Sequence, residues 1–230
     1  CNPDLLIRNI GKVDVATLGE LLRKVDDATA AAKHVRVATA AGGDIEFDNE
    51  PGRDIVTADG IVHPGEIKMM PGQVSWSPRF ETINGTIVVD GTINPPLGFV
   101  TEPIKFTVEK GKVVSIDGGT SAKAFADWMA SFNDPAMYNV AHLAYGLGPG
   151  SKLTGDVVED ERVWGAVEWG FGNIGGILTS DIPGGIPAPS HSDGICLNAT
   201  VWLDGKLFLE NGVVVGPTDE IVALARKLGK

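Results

Sequence analysis

Between residues 14 and 32 apolar side chains recur every three or four positions, with Val15, Leu18, Leu21, Leu22 and Val25 on one side of DVATLGELLRKVDDATAAA. That period predicts an amphipathic helix. The pattern then turns to alternation: HVRVATA and DIEFDN place apolar residues at every second position, and Gly42-Gly43 between them predicts a hairpin. From about residue 54 to 117 a β pattern runs through QVSWSP, TINGTIVVDGTI and IKFTVEKGKVVSID, with Asn84-Gly85, Asp90-Gly91 and Gly111 as tight connections. One helix is expected after it, over residues 120–132 (TSAKAFADWMASF), opened by a Thr or Ser N-cap and gathering Ala124, Phe125, Trp128, Met129 and Phe132 on one side.

Residues 139–196 are so rich in glycine (AHLAYGLGPG, WGFGNIGG, DIPGGIPAP) that fixed loops are expected there rather than regular elements. Beyond them, Asp204-Gly205 and Asn211-Gly212 predict hairpin turns, and Thr218 with Asp219 and Glu220 opens a terminal helix.

The composition narrows the function. The chain has 230 residues, 43% apolar and 21% charged, with a formal net charge of −11. This fits one large globular domain or two small ones, and it lacks the clustered Lys and Arg that nucleic acid or an anionic membrane would require, so neither is expected as a partner. No apolar run approaches the roughly 18–20 residues that span a bilayer. Two cysteines, Cys1 and Cys196, suggest no disulfide framework, and a reducing, cytoplasmic location is expected. Cys1 stands where a Met would start the chain, with none of the marks of a signal peptide, so an upstream segment is expected to have been removed.

Only four histidines are present, His34, His63, His142 and His191, and two fall in the glycine-rich stretch. In His191-Ser192-Asp193 a strand would direct the imidazole and the carboxylate to one side. A second histidine from elsewhere would complete a facial set of three ligands with open positions, which suits ferrous iron; zinc fits the same donors but has no redox chemistry. The pattern alone leaves other readings open. A His-x-Asp pair also occurs as a surface hydrogen-bonded pair, and His142, flanked by Val140, Ala141, Leu143 and Ala144, could be a satisfied core histidine.

The runs MYNVAHLAYGLGPGSKLTGDVVEDERVWGAVEWGFGN and PSHSDGICLNATVWLDGKLFLENG resemble the 2,5-dihydroxypyridine 5,6-dioxygenase family, itself similar to the M29 metallo-aminopeptidases. The similarity covers residues 44–230 and is most specific from 139 to 213. It implies an α+β fold: a mainly β metal-binding domain over residues 44–230 with flanking helices, preceded by residues 1–43 as the remnant of an α/β N-terminal domain. It implies Fe(2+) held by His142, His191 and Asp193, a small aromatic or N-heterocyclic substrate, O2 as co-substrate and a homo-oligomer. At the position of an aminopeptidase metal-binding histidine the chain has Glu168 (EWGFG), and the NEPGRDIVTADG segment has Asp54, so a paired-metal peptidase site is altered.

Further roles are expectations. Glu168 and Asp181 are candidate acceptors for the ligand imidazole N–H groups, although either could be an ordinary loop residue. Tyr145 and Trp169 could stack a planar ring or simply pack. His63 is a candidate proton shuttle, and Gln73 and Arg79 are candidate pocket walls. Cys1 offers a thiol beside its own amine, the arrangement of an N-terminal-nucleophile amide hydrolase. The function expected is thus Fe(II)-dependent, extradiol-type ring cleavage, with an M29-like aminopeptidase and a Cys1 amidohydrolase as alternatives.

Overall fold

The computed structural model describes residues 3–68 and 70–230. After a short helix α1 (Pro3–Leu6), α2 (Val15–Ala31) forms where the helical period lies. Asp14 caps it, accepting from the Thr17 backbone N–H at 3.1 Å, and Leu18, Leu21, Leu22 and Val25 are buried. The strands are β1 (His34–Thr39), β2 (Asp44–Asp48), β3 (Val56–Ala58), β4 (Gln73–Trp76), β5 (Asn84–Val89), β6 (Thr92–Asn94), β7 (Gly98–Phe99), β8 (Ile104–Glu109), β9 (Lys112–Asp117), β10 (Val140–Gly146), β11 (Val167–Ile174), β12 (Ile186–Cys196), β13 (Ala199–Leu203), β14 (Lys206–Glu210) and β15 (Val213–Val214). The helices α3 (Thr120–Ser131), α4 (Val157–Asp160) and α5 (Asp219–Lys227) complete the α+β fold. Among the described residues, no helix is long and apolar enough to cross a membrane.

The strands make two antiparallel sheets, in orders β15-β14-β13-β1-β2-β5-β8-β9 and β3-β4-β10-β11-β12-β6-β7. In the first sheet β1, β2 and β8 alternate as their sequences do: Val35, Val37, Ile45, Phe47, Ile104, Phe106 and Val108 are buried, while His34, Arg36, Asp44 and Glu46 face water. The buried side packs on the second sheet, whose Val74, Trp76, Leu143, Tyr145, Val167, Trp169 and Phe171 join the same core. Aromatic contacts bridge the layers, with Phe47 edge-on to Trp169 at 5.9 Å and Phe106 stacked on Phe171 at 4.7 Å. α3 closes one end by setting Phe125 against both Phe106 and Phe171. One face of the seven-stranded sheet is thus committed to the core, and its other face is left to carry polar groups.

One expectation is corrected. Much of the glycine-rich stretch is regular, because β10, β11 and β12 run through it as the centre of the second sheet. Irregular backbone is confined to the connections 147–166 and 175–185. Glycine serves these strands through close approach. A Cβ on Gly194 would sit 2.7 Å from a Val89 methyl of the facing sheet, so only glycine lets β12 approach so closely.

Candidate metal centre

Residues paired across an antiparallel ladder point to the same side. His142 on β10 lies opposite Gly170 on β11, which lies opposite Asp193 on β12, and Gly172 lies opposite His191. Glu168, two residues before Gly170, shares that side, as do Ser75 and Gln73, opposite Ala144 and Gly146. The polar face of four adjacent strands thereby gathers His142, Glu168, His191, Asp193, Gln73 and Ser75, which with Glu161, Val56, Ile177 and Leu178 line a cavity of about 200 Å³.

Two β-bulges shape this face. The register shifts between Val140 and His142, and the carbonyl of the extra residue, Ala141, accepts from the Ser77 hydroxyl at 2.7 Å. A second shift at Gly172/Ile174 frees the Asn173 carbonyl, which lies 2.7 Å from His191 Nδ1. Bulges re-aim side chains in this manner beside functional sites. The Asn173 carbonyl can only accept, so His191 carries a proton on Nδ1 and turns Nε2 inward toward Asp193.

His191 Nε2 is 2.8 Å from Asp193 Oδ1, and His142 Nε2 is 3.7 Å from the same oxygen. The imidazoles are parallel within 9° at a centroid distance of 5.1 Å. One donor atom from each of His142, His191 and Asp193 falls within 4.8 Å of the other two. Neighbouring donors around an ion bound at about 2.1 Å are roughly 3 Å apart, so the spacing fits one metal ion. The floor fits as well. A Cβ on Gly170 would lie 2.4 Å from Nδ1 and Cε1 of His142 and 2.9 Å from Cε1 of His191, so the rings occupy the space that any other side chain would fill.

A buried network of acids adjoins these groups. Glu168 Oε1 is 2.6 Å from His142 Nε2, and Gln73 Nε2 donates to Glu168 Oε2 at 2.6 Å and to Glu161 Oε2 at 3.2 Å. Glu161 also accepts from the buried Arg162 guanidinium at 3.0 Å, whose other donors reach the Met70 and Val158 carbonyls. Two further buried acids hold the connection that delivers this pair. Asp160 accepts from the Thr154 and Gly155 backbone and Thr92, and Glu159 from Arg8, Asn9 and the Lys152 backbone.

These surroundings move the titrations. Burial pushes the His142 pKa down to about 4, which keeps its ring neutral at neutral pH. Burial also opposes a charge on His191, but the hydrogen bond and charge of Asp193, with the Asn173 carbonyl and Glu161, outweigh it and raise its pKa. Asp193 is buried yet held below its ordinary range by the His191 hydrogen bond and both imidazoles. Burial, then the Asp193 charge, lifts Glu161 to about 7 against the pull of Arg162, and burial with both neighbouring acids raises Glu168 well above its ordinary value.

Of the residues singled out in the sequence, five meet here: His142, His191, Asp193, Glu168 and Gln73. The others lie elsewhere. Tyr145 and Trp169 are buried on the opposite side of the same strands, where Tyr145 packs on Trp76 and Phe208 and Trp169 on Phe47. Neither can stack a ring in this cavity. His63 sits in an exposed connection, Arg79 pairs with Glu50 at 3.0 Å, and Asp181 pairs with Arg53 at 2.7 Å. Cys1 lies outside the described residues; Cys196 is a buried free thiol whose pKa burial raises. Sequence reasoning missed Glu161, Gly170 and the Asn173 carbonyl. Only Gly170 left a signal, through the period-two series Glu168, Gly170, Gly172 in EWGFG.

A family model described as 2,5-dihydroxypyridine 5,6-dioxygenase matches residues 2–216. The curated 2,5-dihydroxypyridine 5,6-dioxygenase of Pseudomonas putida is 31% identical over 152 residues, which are 63% of this chain and 43% of that protein. The solved 2,5-dihydroxypyridine dioxygenase of P. putida has the same fold, with a TM-score of 0.83 at 24% identity over 96% of this chain and 64% of that one. AmpT from Thermus thermophilus, an M29 aminopeptidase, shares the fold more distantly, with a TM-score of 0.62 at 16% identity over 89% of this chain and 56% of that one. The chain thus spans less than half the length of the curated relative and under two thirds of either solved chain.

Proposed function

The chain belongs to the 2,5-dihydroxypyridine 5,6-dioxygenase family, and from that premise we propose that it carries the metal centre of a ring-opening dioxygenase acting on a hydroxylated pyridine or related small ring. His142, His191 and Asp193 are the ligands of one ferrous ion in this reading. The observation that carries it is the convergence of their donor atoms within 4.8 Å above a glycine floor. Bound there, ferrous iron supplies a redox centre able to hold O2 and the ring together and to pass electrons between them.

The chain's own groups do the rest. Burial keeps His142 unprotonated, and the Asn173 carbonyl fixes a proton on His191 Nδ1, so Nε2 is the atom His191 would offer to the ion, in exchange for the proton it shares with Asp193. Val56, Ile177 and Leu178 offer apolar walls to a planar ring. A cavity of about 200 Å³ falls below the roughly 300–1,000 Å³ of sites for drug-sized ligands, which favours a single small ring. Glu161, with its pKa near 7, is placed to take a proton from a ring hydroxyl at neutral pH and to return one.

Metal analysis of anaerobically purified protein, paired with O2 uptake on adding 2,5-dihydroxypyridine, tests the reading. One iron per chain and an uptake abolished in His191→Ala are expected. No uptake from an iron-loaded protein overturns it. The second reading is a paired-metal hydrolase in which Glu161 and Glu168 would be the additional donors, and two zinc ions per chain with aminopeptidase activity would establish it.

A further inference from the structure

We propose that Arg53 and Asp181 are positioning residues for the substrate: they latch the connection 175–185 over the metal cavity, so that Ile177 and Leu178 close on the ring. The proposal rests on the reading of that cavity as the substrate site. The connection leaves the sheet where Ile174 on β11 pairs with Ile186 on β12, and it returns through a narrow neck. A Cβ on Gly185 would overlap the Ile174 carbonyl oxygen, and with φ at +73° Gly185 lies in the left-handed region, so the neck closes only on glycine. Between the ends one turn of 3-10 helix, Gly176–Leu178, carries Ile177 and Leu178 to the cavity, where they stand beside His142, Glu168, His191 and Asp193. Ile177 is 71% exposed, a large apolar side chain that a bound ring would cover. Compact loops whose ends meet are a common form of functional loop.

The tip of this loop is held at one place. Apart from bonds within 175–185, every hydrogen bond of residues 176–184 among the described residues goes to Arg53 or Asp54. Arg53 Nε and Nη2 donate to the two Asp181 carboxylate oxygens at 2.8 and 2.7 Å, and the Asp54 N–H donates to Ser180 Oγ at 3.3 Å. The Arg53 half of the latch is fixed. Its side chain is 5% exposed, its Nη1 donates to the Ser77 and Pro78 carbonyls at 3.3 and 2.6 Å, and its guanidinium lies over the Phe80 ring at 4.7 Å. Ser77 is also the residue whose hydroxyl holds the Ala141 bulge, so the latch is anchored on the connection that aims the His142 ring. Asp181 is the exposed half, and a two-pronged guanidinium–carboxylate pair sets its direction as well as its distance. Release of Asp181 would free the tip on its neck, withdraw two apolar walls and admit water to the bound ring.

Amide hydrogen exchange of the metal-free full chain reads the latch, and steady-state O2 uptake by the iron-loaded chain with 2,5-dihydroxypyridine reads its use. In Asp181→Ala, exchange across 175–185 should quicken and KM should rise, each on the order of tenfold, the scale of one charge-assisted pair of hydrogen bonds, while kcat changes by less than about threefold. Asp181→Glu should recover part of both. Mn2+ affinity, followed by the electron paramagnetic resonance signal of the free ion, should match wild type, because the latch touches neither imidazole nor Asp193. Asp44→Ala is the control: it removes a carboxylate that Arg36 holds through the same two bonds, at 2.8 and 2.7 Å, on the exposed face of the first sheet, and it should alter none of these values. Exchange across 175–185 within about twofold of wild type overturns the proposal, and so does faster exchange with an unchanged KM. If Asp181→Ala fails to fold, Asp181→Asn, which keeps the shape and loses the charge, takes its place under the same criteria. Should iron-loaded wild type open no ring, the reading of the site has failed, and exchange alone then decides the latch: faster exchange in the variant upholds it, and unchanged exchange overturns it.

Discussion

Gly170→Ala is the sharpest test of how the centre is built. The added Cβ would lie 2.4 Å from Nδ1 and Cε1 of His142 and 2.9 Å from Cε1 of His191. Carbon contacts are favourable at about 3.5 Å or more, so the His142 ring must retreat by roughly 1 Å. Overpacking of this kind costs about 1–3 kcal/mol, and in a domain of this size each kcal/mol lowers Tm by about 2–4 °C, which gives a fall of roughly 2–12 °C. A displacement of about 1 Å at a positioned group can cost on the order of 100-fold, and a loss of that size is expected in Mn2+ affinity. The sign separates this mechanism from propensity, because glycine weakens a strand interior and alanine would otherwise be neutral or mildly stabilising. Gly11→Ala, where the added Cβ meets nothing within 4 Å, is the control and should leave Tm and affinity unchanged. A Gly170→Ala protein that melts as wild type does and binds Mn2+ within threefold of it would refute the glycine floor.

Two further outcomes follow from the two faces of the sheet and from the acid network. Trp169→Ala removes a large side chain from the inter-sheet core and should destabilise by about 3–5 kcal/mol; in chemical denaturation it should behave as a core variant, while the fraction that remains folded keeps its Mn2+ affinity. Glu161 has a folded pKa near 7, above its ordinary value of 4.5, so the native state holds its proton more tightly than the unfolded chain does. Its contribution is favourable below about pH 4.5 and is lost as pH rises through about 7, so metal-free wild type should lose stability relative to Glu161→Gln across that window. Melting both proteins at pH 5 and pH 8 checks this; an equal drop in the two would rule it out.

Where the chain obeys one period, its structure is legible in the sequence. α2, β1 and β2 lie where alternation and helical spacing put them, because each buries a single face against one core. The same logic made His191-Ser192-Asp193 readable, since the i, i+2 spacing of a strand is enough to bring an imidazole and a carboxylate together. His142 came from the resemblance to the family, and no local pattern joins it to residues some fifty positions away.

The loop expectation and the placing of Tyr145 and Trp169 fail for one cause. Glycine content predicts loops, yet in β11 and β12 glycine is what allows a close contact on each face: the histidine rings over Gly170 on one side, and Val89 against Gly194 on the other. Once those segments are strands, period two decides the rest. Tyr145, three residues after His142, and Trp169, one after Glu168, must point away from the polar face and into the core. Glu161 and the Asn173 carbonyl were out of reach for a different reason, because a connection pinned by buried acids delivers the first and a bulge the second. In this fold regular alternation supplies the core and one row of polar groups, and the departures from it, two bulges and two glycines, turn a flat polar face into a site with depth.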